Sequence, residues 1–167
     1  MNYIKIKKID IANGQGISTT IYFAGCNQHC KGCFNSEYWD FKKGRPFTDQ
    51  VKEELFGYLS NPNVRNLSIL GGEPLQQGEE LTALLSEVKE KFPDKKIWLW
   101  TGYYLKELNE AQLKTISYCD YIIDGRFEED KSGINLVFKG SSNQTVWQRD
   151  SNGELTEISD EDLLQIK

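Results

Sequence analysis

Apolar positions along this chain switch repeatedly between a two-residue period and a three-to-four-residue period. Ser18-Thr19-Thr20-Ile21-Tyr22-Phe23 is β-branched and aromatic and predicts a strand running straight into Gly25-Cys26. Thr48 stands as a helix cap ahead of Val51, Leu55, Tyr58 and Leu59 on one face, and Asn61-Pro62-Asn63 ends that helix. Val64 to Leu70 predicts a second strand, which meets Gly71-Gly72-Glu73-Pro74. Leu81, Leu84, Leu85, Val88 and Phe92 then fall on one helical stripe until Pro93-Asp94 breaks it. Ile97 to Trp100 predicts a third strand, with Trp98 and Trp100 assigned to the core. Leu105, Leu108, Leu113 and Ile116 mark a weaker helix, and Tyr118 to Ile123 a fourth strand ending at Asp124-Gly125.

Strands and helices that alternate in this way argue for parallel β/α units. Each strand carries a polar or glycine-rich motif at its C-terminal end, where active sites of such folds assemble. The order breaks near Phe127, where the acidic run Glu128-Glu129-Asp130, read as solvated surface, leads into Leu136-Val137-Phe138. Asn152-Gly153 predicts a hairpin turn between Thr145–Gln148 and Leu155–Ile158, and Ser159 with Asp162 caps a short last helix. Four strands are too few for a closed eight-fold barrel. The expected fold class is therefore α/β, a partial (β/α) barrel or open sheet in one domain over residues 1–167. Its core spans about 18–125 and an irregular, hairpin-bearing extension about 126–167.

Composition narrows the function classes. A chain of 167 residues, 38% apolar, suits one soluble domain, and a net charge of -5 speaks against a broad nucleic-acid surface. Lys5, Lys7 and Lys8 read as a solvated edge. Met1 to Ile11 holds no apolar run of signal-peptide type, and no stretch approaches ~20 apolar residues, so the expected location is the cytoplasm with no membrane span. In that compartment clustered cysteines are more often metal ligands or catalytic groups than disulfides.

The cysteines carry the chemistry. Cys26, Cys30 and Cys33 form a C-x3-C-x2-C run inside one loop, and Cys119 lies far away. Thiolates suit zinc, Cu(I) or iron–sulfur clusters, and three ligands leave one position open, as reactive rather than structural sites do. Three readings stand at this point: an iron–sulfur cluster held by three thiolates, a zinc site closed by Cys119 or His29, and cysteines with no metal. Cys119, placed inside a strand, reads as a buried structural thiol. Gly71-Gly72-Glu73-Pro74-Leu75 is a turn in most proteins. Directly after a strand, and one β/α unit past the cysteine loop, its glycines admit a ligand close to the backbone and Glu73 offers a carboxylate to an ammonium group.

The C-x3-C-x2-C run followed by Gly-Gly-Glu-Pro on the next strand resembles the radical S-adenosylmethionine superfamily. Within it, the chain is similar to the branch that activates the anaerobic (class III) ribonucleoside-triphosphate reductase. The likeness includes Asn13-Gly14 with Gly16, the run Gly32-Cys33-Phe34-Asn35, Trp39, Trp98 to Tyr103, Asp120 with Asp124-Gly125, and Gly140 to Gln144. Gly32 marks the branch, since most of the superfamily has an aromatic residue before the third cysteine. The branch's early Asn/Asp-Gly-Pro-Gly-x-Arg run departs here, with Gln15 in place of its proline and Ser18 in place of its arginine.

The resemblance implies a [4Fe–4S] cluster on Cys26, Cys30 and Cys33, whose free iron chelates the amino and carboxylate groups of S-adenosylmethionine. It implies cofactor contacts from Gly32, Cys33, Phe34, Gly71, Gly72, Glu73, Thr101 and Asp124; Thr101 and Asp124 read equally as strand-end caps. Gly140 to Gln144 reads either as a set of backbone N–H donors or as a polar turn. The implied chemistry is reductive cleavage of S-adenosylmethionine and hydrogen abstraction from a glycine of the large glycyl-radical subunit. A low-potential donor such as a flavodoxin-type protein would supply the electron, and no catalytic acid or base is required. The competing readings are a radical enzyme acting on a small heterocycle and a non-enzymatic zinc or iron–sulfur module.

Overall fold

A computed structural model describes residues 1–166, and Lys167, the last residue of the expected extension, lies outside the described residues. Strand β1 (Asn2–Asp10) is followed by β2 (Ser18–Phe23), the cysteine loop, the two-residue β3 (Arg45–Pro46) and helix α1 (Asp49–Leu59). Then come β4 (Asn66–Gly71), α2 (Glu79–Lys91), β5 (Lys96–Trp100), α3 (Glu110–Ile116) and β6 (Tyr121–Asp124). The chain closes with the hairpin β7 (Thr145–Arg149) and β8 (Leu155–Glu157) and helix α4 (Asp160–Leu163).

Among the described residues, eight strands join one sheet in the order β3-β1-β2-β4-β5-β6-β7-β8. The four central strands, β2, β4, β5 and β6, run parallel, and the outer strands are antiparallel additions on both sides. Alternation along the central strands separates two cores. Ile21, Phe23, Leu67, Ile69, Ile97, Leu99 and Ile122 pack with Leu55, Phe56 and Leu59 of α1, Leu81, Leu84, Leu85 and Val88 of α2, and Ile116 of α3. All three crossover helices therefore cover the same face. The opposite face buries Trp98, Tyr121, Ile123 and Val146 against Leu163 of α4, with the Trp98 and Tyr121 rings stacked 4.0 Å apart. Thr48 and Ser159 cap α1 and α4 as expected, accepting from Val51 N–H and Asp162 N–H.

Several elements differ from the sequence reading. The lysine-rich start is not merely a solvated edge: it is β1, paired to β2, with Lys5 4.8 Å from the Tyr22 ring centre. Two register shifts along β1 interrupt its alternation. The weak helix between β5 and β6 splits into a 3₁₀ turn (Leu105–Glu107) and α3, which Asn109 and Gln112 start with a reciprocal capping box. Cys119 lies ahead of β6 rather than inside it, fully buried, and burial pushes its thiol up to about 12. Trp100 is only half-buried and donates its indole N–H to the Phe138 carbonyl at 2.7 Å.

Candidate metal and cofactor site

The C-terminal ends of β2, β4 and β5 open on one side into a cavity of about 440 Å³. Cys26, Cys30, Cys33 and Phe34 line it, together with Gly71, Gly72, Glu73 and Thr101. A larger groove of about 590 Å³ between α2 and α3 contains no cysteine.

The cysteine loop is fastened at both ends. Gly25 N–H donates to Tyr38 O at 2.7 Å and Cys26 N–H to Trp39 O at 3.0 Å, so the loop leaves β2 against the segment that follows it. Asn35 Nδ2 donates to Gly71 O at 3.1 Å, and Asn27 N–H to Gln76 Oε1 at 2.8 Å. Cys26 is buried, Cys30 and Cys33 are half-buried, and no cysteine is in a disulfide. Burial pushes the Cys26 thiol up, while backbone N–H groups of Gln28 and His29 pull it down. His29 does not turn toward the thiols. Its ring stacks on Trp39, with centroids 4.2 Å apart and planes 12° from parallel.

The two glycines at the end of β4, Gly71 its last residue and Gly72 the next, have a use that the sequence did not reveal. A side chain on Gly71 would overlap the backbone of Phe23, and one on Gly72 the backbone of Gly25. Gly72 N–H donates to Phe23 O at 3.0 Å and Glu73 N–H to Gly25 O at 2.7 Å. The pair lets the cysteine-loop backbone lie directly on the end of β4, besides admitting anything in the cavity. Gly32 adopts φ +74 and faces the Glu129 side chain, and Glu129 and Asp130 are exposed, as the solvated-surface reading of that acidic loop has it.

Glu73 is 1% exposed and acts as a clamp. Its Oε1 accepts from Gly102 N–H at 2.7 Å, and its Oε2 from Leu75 N–H at 2.8 Å and Thr101 Oγ1 at 2.9 Å. Desolvation pushes its carboxyl up to about 7 against the pull of these donors. A carboxylate offers about four acceptor positions, so one remains for a further donor. Asp124 is buried and accepts from Leu105 N–H at 2.9 Å, capping the 3₁₀ turn; its neighbour Gly125 is the residue at the cavity wall. The Gly140 and Ser141 N–H groups both donate to Gln144 Oε1, so this turn closes on itself rather than presenting those donors. The extension contributes a wall that the sequence did not announce: Phe127, Leu136, Phe138, Lys139 and Gln144 line the cavity, with Phe127 5.1 Å from Phe34.

The donor set, three thiols on one cavity, fits an iron–sulfur cluster. Among the described residues no three His, Cys, Asp or Glu side chains converge as ligands of one ion. Three cysteines lining one cavity match a group whose separate irons each take one thiolate. The cavity also retains a buried, unpartnered donor, Gln28 Nε2, for which the sequence offered no signal beyond its place between Cys26 and Cys30.

Residues 12–147 match the family of 4Fe-4S single cluster domains. Relatives named anaerobic ribonucleoside-triphosphate reductase-activating protein match most of the chain. That of Pasteurella multocida (strain Pm70) is 37% identical over 155 residues, covering 89% of this chain and 98% of the relative. That of Enterobacteria phage T4 is 40% identical over 149 residues, covering 88% and 94%, and that of Escherichia coli (strain K12) 35% over 150 residues, covering 87% and 97%. The chain belongs to the family of anaerobic ribonucleoside-triphosphate reductase-activating proteins.

Proposed function

We infer that this protein is a radical-generating activase of an anaerobic ribonucleoside-triphosphate reductase, using a [4Fe–4S] cluster and S-adenosylmethionine. One observation carries the reading: the three-cysteine loop and the Gly-Gly-Glu end of β4 share one cavity and are locked together through Gly25. The family and the names of the relatives support it. When bound, the reduced cluster supplies one electron for cleavage of the S–C5′ bond of S-adenosylmethionine, which permits hydrogen abstraction from a glycine Cα of the large reductase subunit.

The residues around that chemistry hold and exclude. Cys26, Cys30 and Cys33 supply the thiolates. Gly71 and Gly72 seat the loop and Phe34 borders the cofactor, while Gly32, outside the cavity lining, acts through the turn that places Cys33. Glu73, fixed by Gly102, Leu75 and Thr101, directs its remaining acceptor position to the cofactor's ammonium group. Asp124 acts indirectly, by capping the turn beside Gly125. The single-face helices and the sequential order of the parallel strands support a partial barrel of the radical S-adenosylmethionine type. Its core is about residues 18–125, with the described residues 126–166 as an added wall in the same domain. No described helix is long and apolar enough to cross a membrane, and the net charge is -5. The acidic balance favours a protein partner over nucleic acid, and the reading places the protein in the cytoplasm with a low-potential donor such as a flavodoxin-type protein.

The test is paramagnetic resonance on the large subunit after incubation with reconstituted protein, S-adenosylmethionine and reductant. A glycyl-radical doublet is expected. Turnover of a free heterocycle with no radical on the subunit contradicts the reading.

A further inference from the structure

Three buried polar side-chain atoms among the described residues have no hydrogen-bond partner: Gln28 Nε2, Asn143 Oδ1 and Trp147 Nε1. Only Gln28 lines the cavity that holds the cysteines. Buried amide donors are nearly always paired, so an orphan on a cavity wall marks where a ligand's acceptor belongs. The placement of this orphan says which acceptor. Its carboxamide lies against Gly102, since a side chain there would overlap Gln28 Oε1. Gly102 in turn donates its N–H to Glu73 Oε1 at 2.7 Å. An unpaired donor and a carboxylate with one free acceptor position thus meet at a single residue. An α-amino acid carries a carboxylate and an ammonium group on one carbon, and this pair is complementary to it.

We propose that Gln28 binds the amino-acid end of S-adenosylmethionine, donating from Nε2 to its carboxylate while Glu73 faces its ammonium group. The proposal rests on the activase reading above and adds to it a specificity residue inside the cysteine loop. The backbone leading into Gln28 is already held, with Gln28 N–H directed at Cys26 Sγ at 3.4 Å and Asn27 N–H on Gln76. The side chain is therefore free to serve the ligand without changing the loop's path.

The test is calorimetric titration of the anaerobically reconstituted protein with S-adenosylmethionine and with its decarboxylated analogue. Iron and sulfide content serve as the control for an intact cluster loop. Gln28→Leu keeps the shape and removes the donor, so affinity for S-adenosylmethionine falls ~10-fold or more while affinity for the decarboxylated analogue stays at the wild-type value. Gln28→Glu places a second carboxylate there, so its loss for S-adenosylmethionine exceeds that of Gln28→Leu. Equal losses for both ligands overturn the proposal, because a merely structural role does not distinguish them. So does an unchanged affinity with a shifted cluster reduction potential, which assigns the donor to a cluster sulfur instead. Cluster-loaded wild type that binds neither ligand contradicts the activase reading itself, and the two failures are thereby told apart.

Discussion

Gly72 packs onto Gly25 so closely that any side chain at Gly72 would overlap the Gly25 backbone, and Glu73 N–H donates to Gly25 O at 2.7 Å. The strand end that faces the cofactor is thus also the support of the loop that carries the thiols. Gly72→Ala has to displace Gly25, and Cys26 with it. The expected cost is about 1–3 kcal/mol of stability, typical of overpacking. Iron and sulfide uptake on reconstitution also falls well below wild type. Normal uptake with normal stability contradicts the support role.

Glu73 makes stability depend on pH. Its carboxyl titrates at about 7 in the folded protein, against an ordinary 4.5, because burial penalises the charged form. The folded state therefore holds the proton more tightly than the unfolded chain does. The resulting stabilisation is complete below pH 4.5 and is lost as pH rises to about 7. Urea unfolding of the cluster-free protein should show a decline of at most ~3 kcal/mol over this window, absent in Glu73→Gln. Identical pH slopes in the two proteins contradict it.

The four cysteines should separate by reactivity. In cluster-free, reduced, folded protein, iodoacetamide at about pH 8 modifies half-buried Cys30 and Cys33 first and Cys26 slowly. Cys119, fully buried with its thiol pushed up to about 12, reacts only on unfolding. Mass spectrometry of timed samples reads the order, and Cys119→Ala leaves iron uptake unchanged. Labelling of Cys119 as fast as Cys30 contradicts this burial.

Local signals were legible in the sequence and long-range ones were not. The β2 run, the Thr48 cap and the α2 stripe each depend on residues within a few positions, and the structure has them where the pattern put them. The lysine–isoleucine alternation of β1 was visible, but its antiparallel pairing to β2, with two register shifts, depends on residues that the local pattern does not specify. The cysteines and Gly-Gly-Glu were visible as motifs, but the reason for the glycines lies in Phe23 at the end of β2 and in Gly25 just past it. The clamp on Glu73 comes from Thr101 and Gly102, 28 and 29 residues downstream. The cavity wall from Phe127 to Gln144 has no period at all, being held by turns such as Gln144 on Gly140. No local pattern encodes such a contact.

The most direct measurement is anaerobic reconstitution with iron and sulfide, followed by S-adenosylmethionine and a strong reductant, with 5′-deoxyadenosine measured by chromatography. Wild type should turn brown and release 5′-deoxyadenosine with methionine, while Cys30→Ala does neither. A colourless wild type, or Cys30→Ala that cleaves S-adenosylmethionine as well as wild type does, would contradict the assignment of this loop as the cluster site.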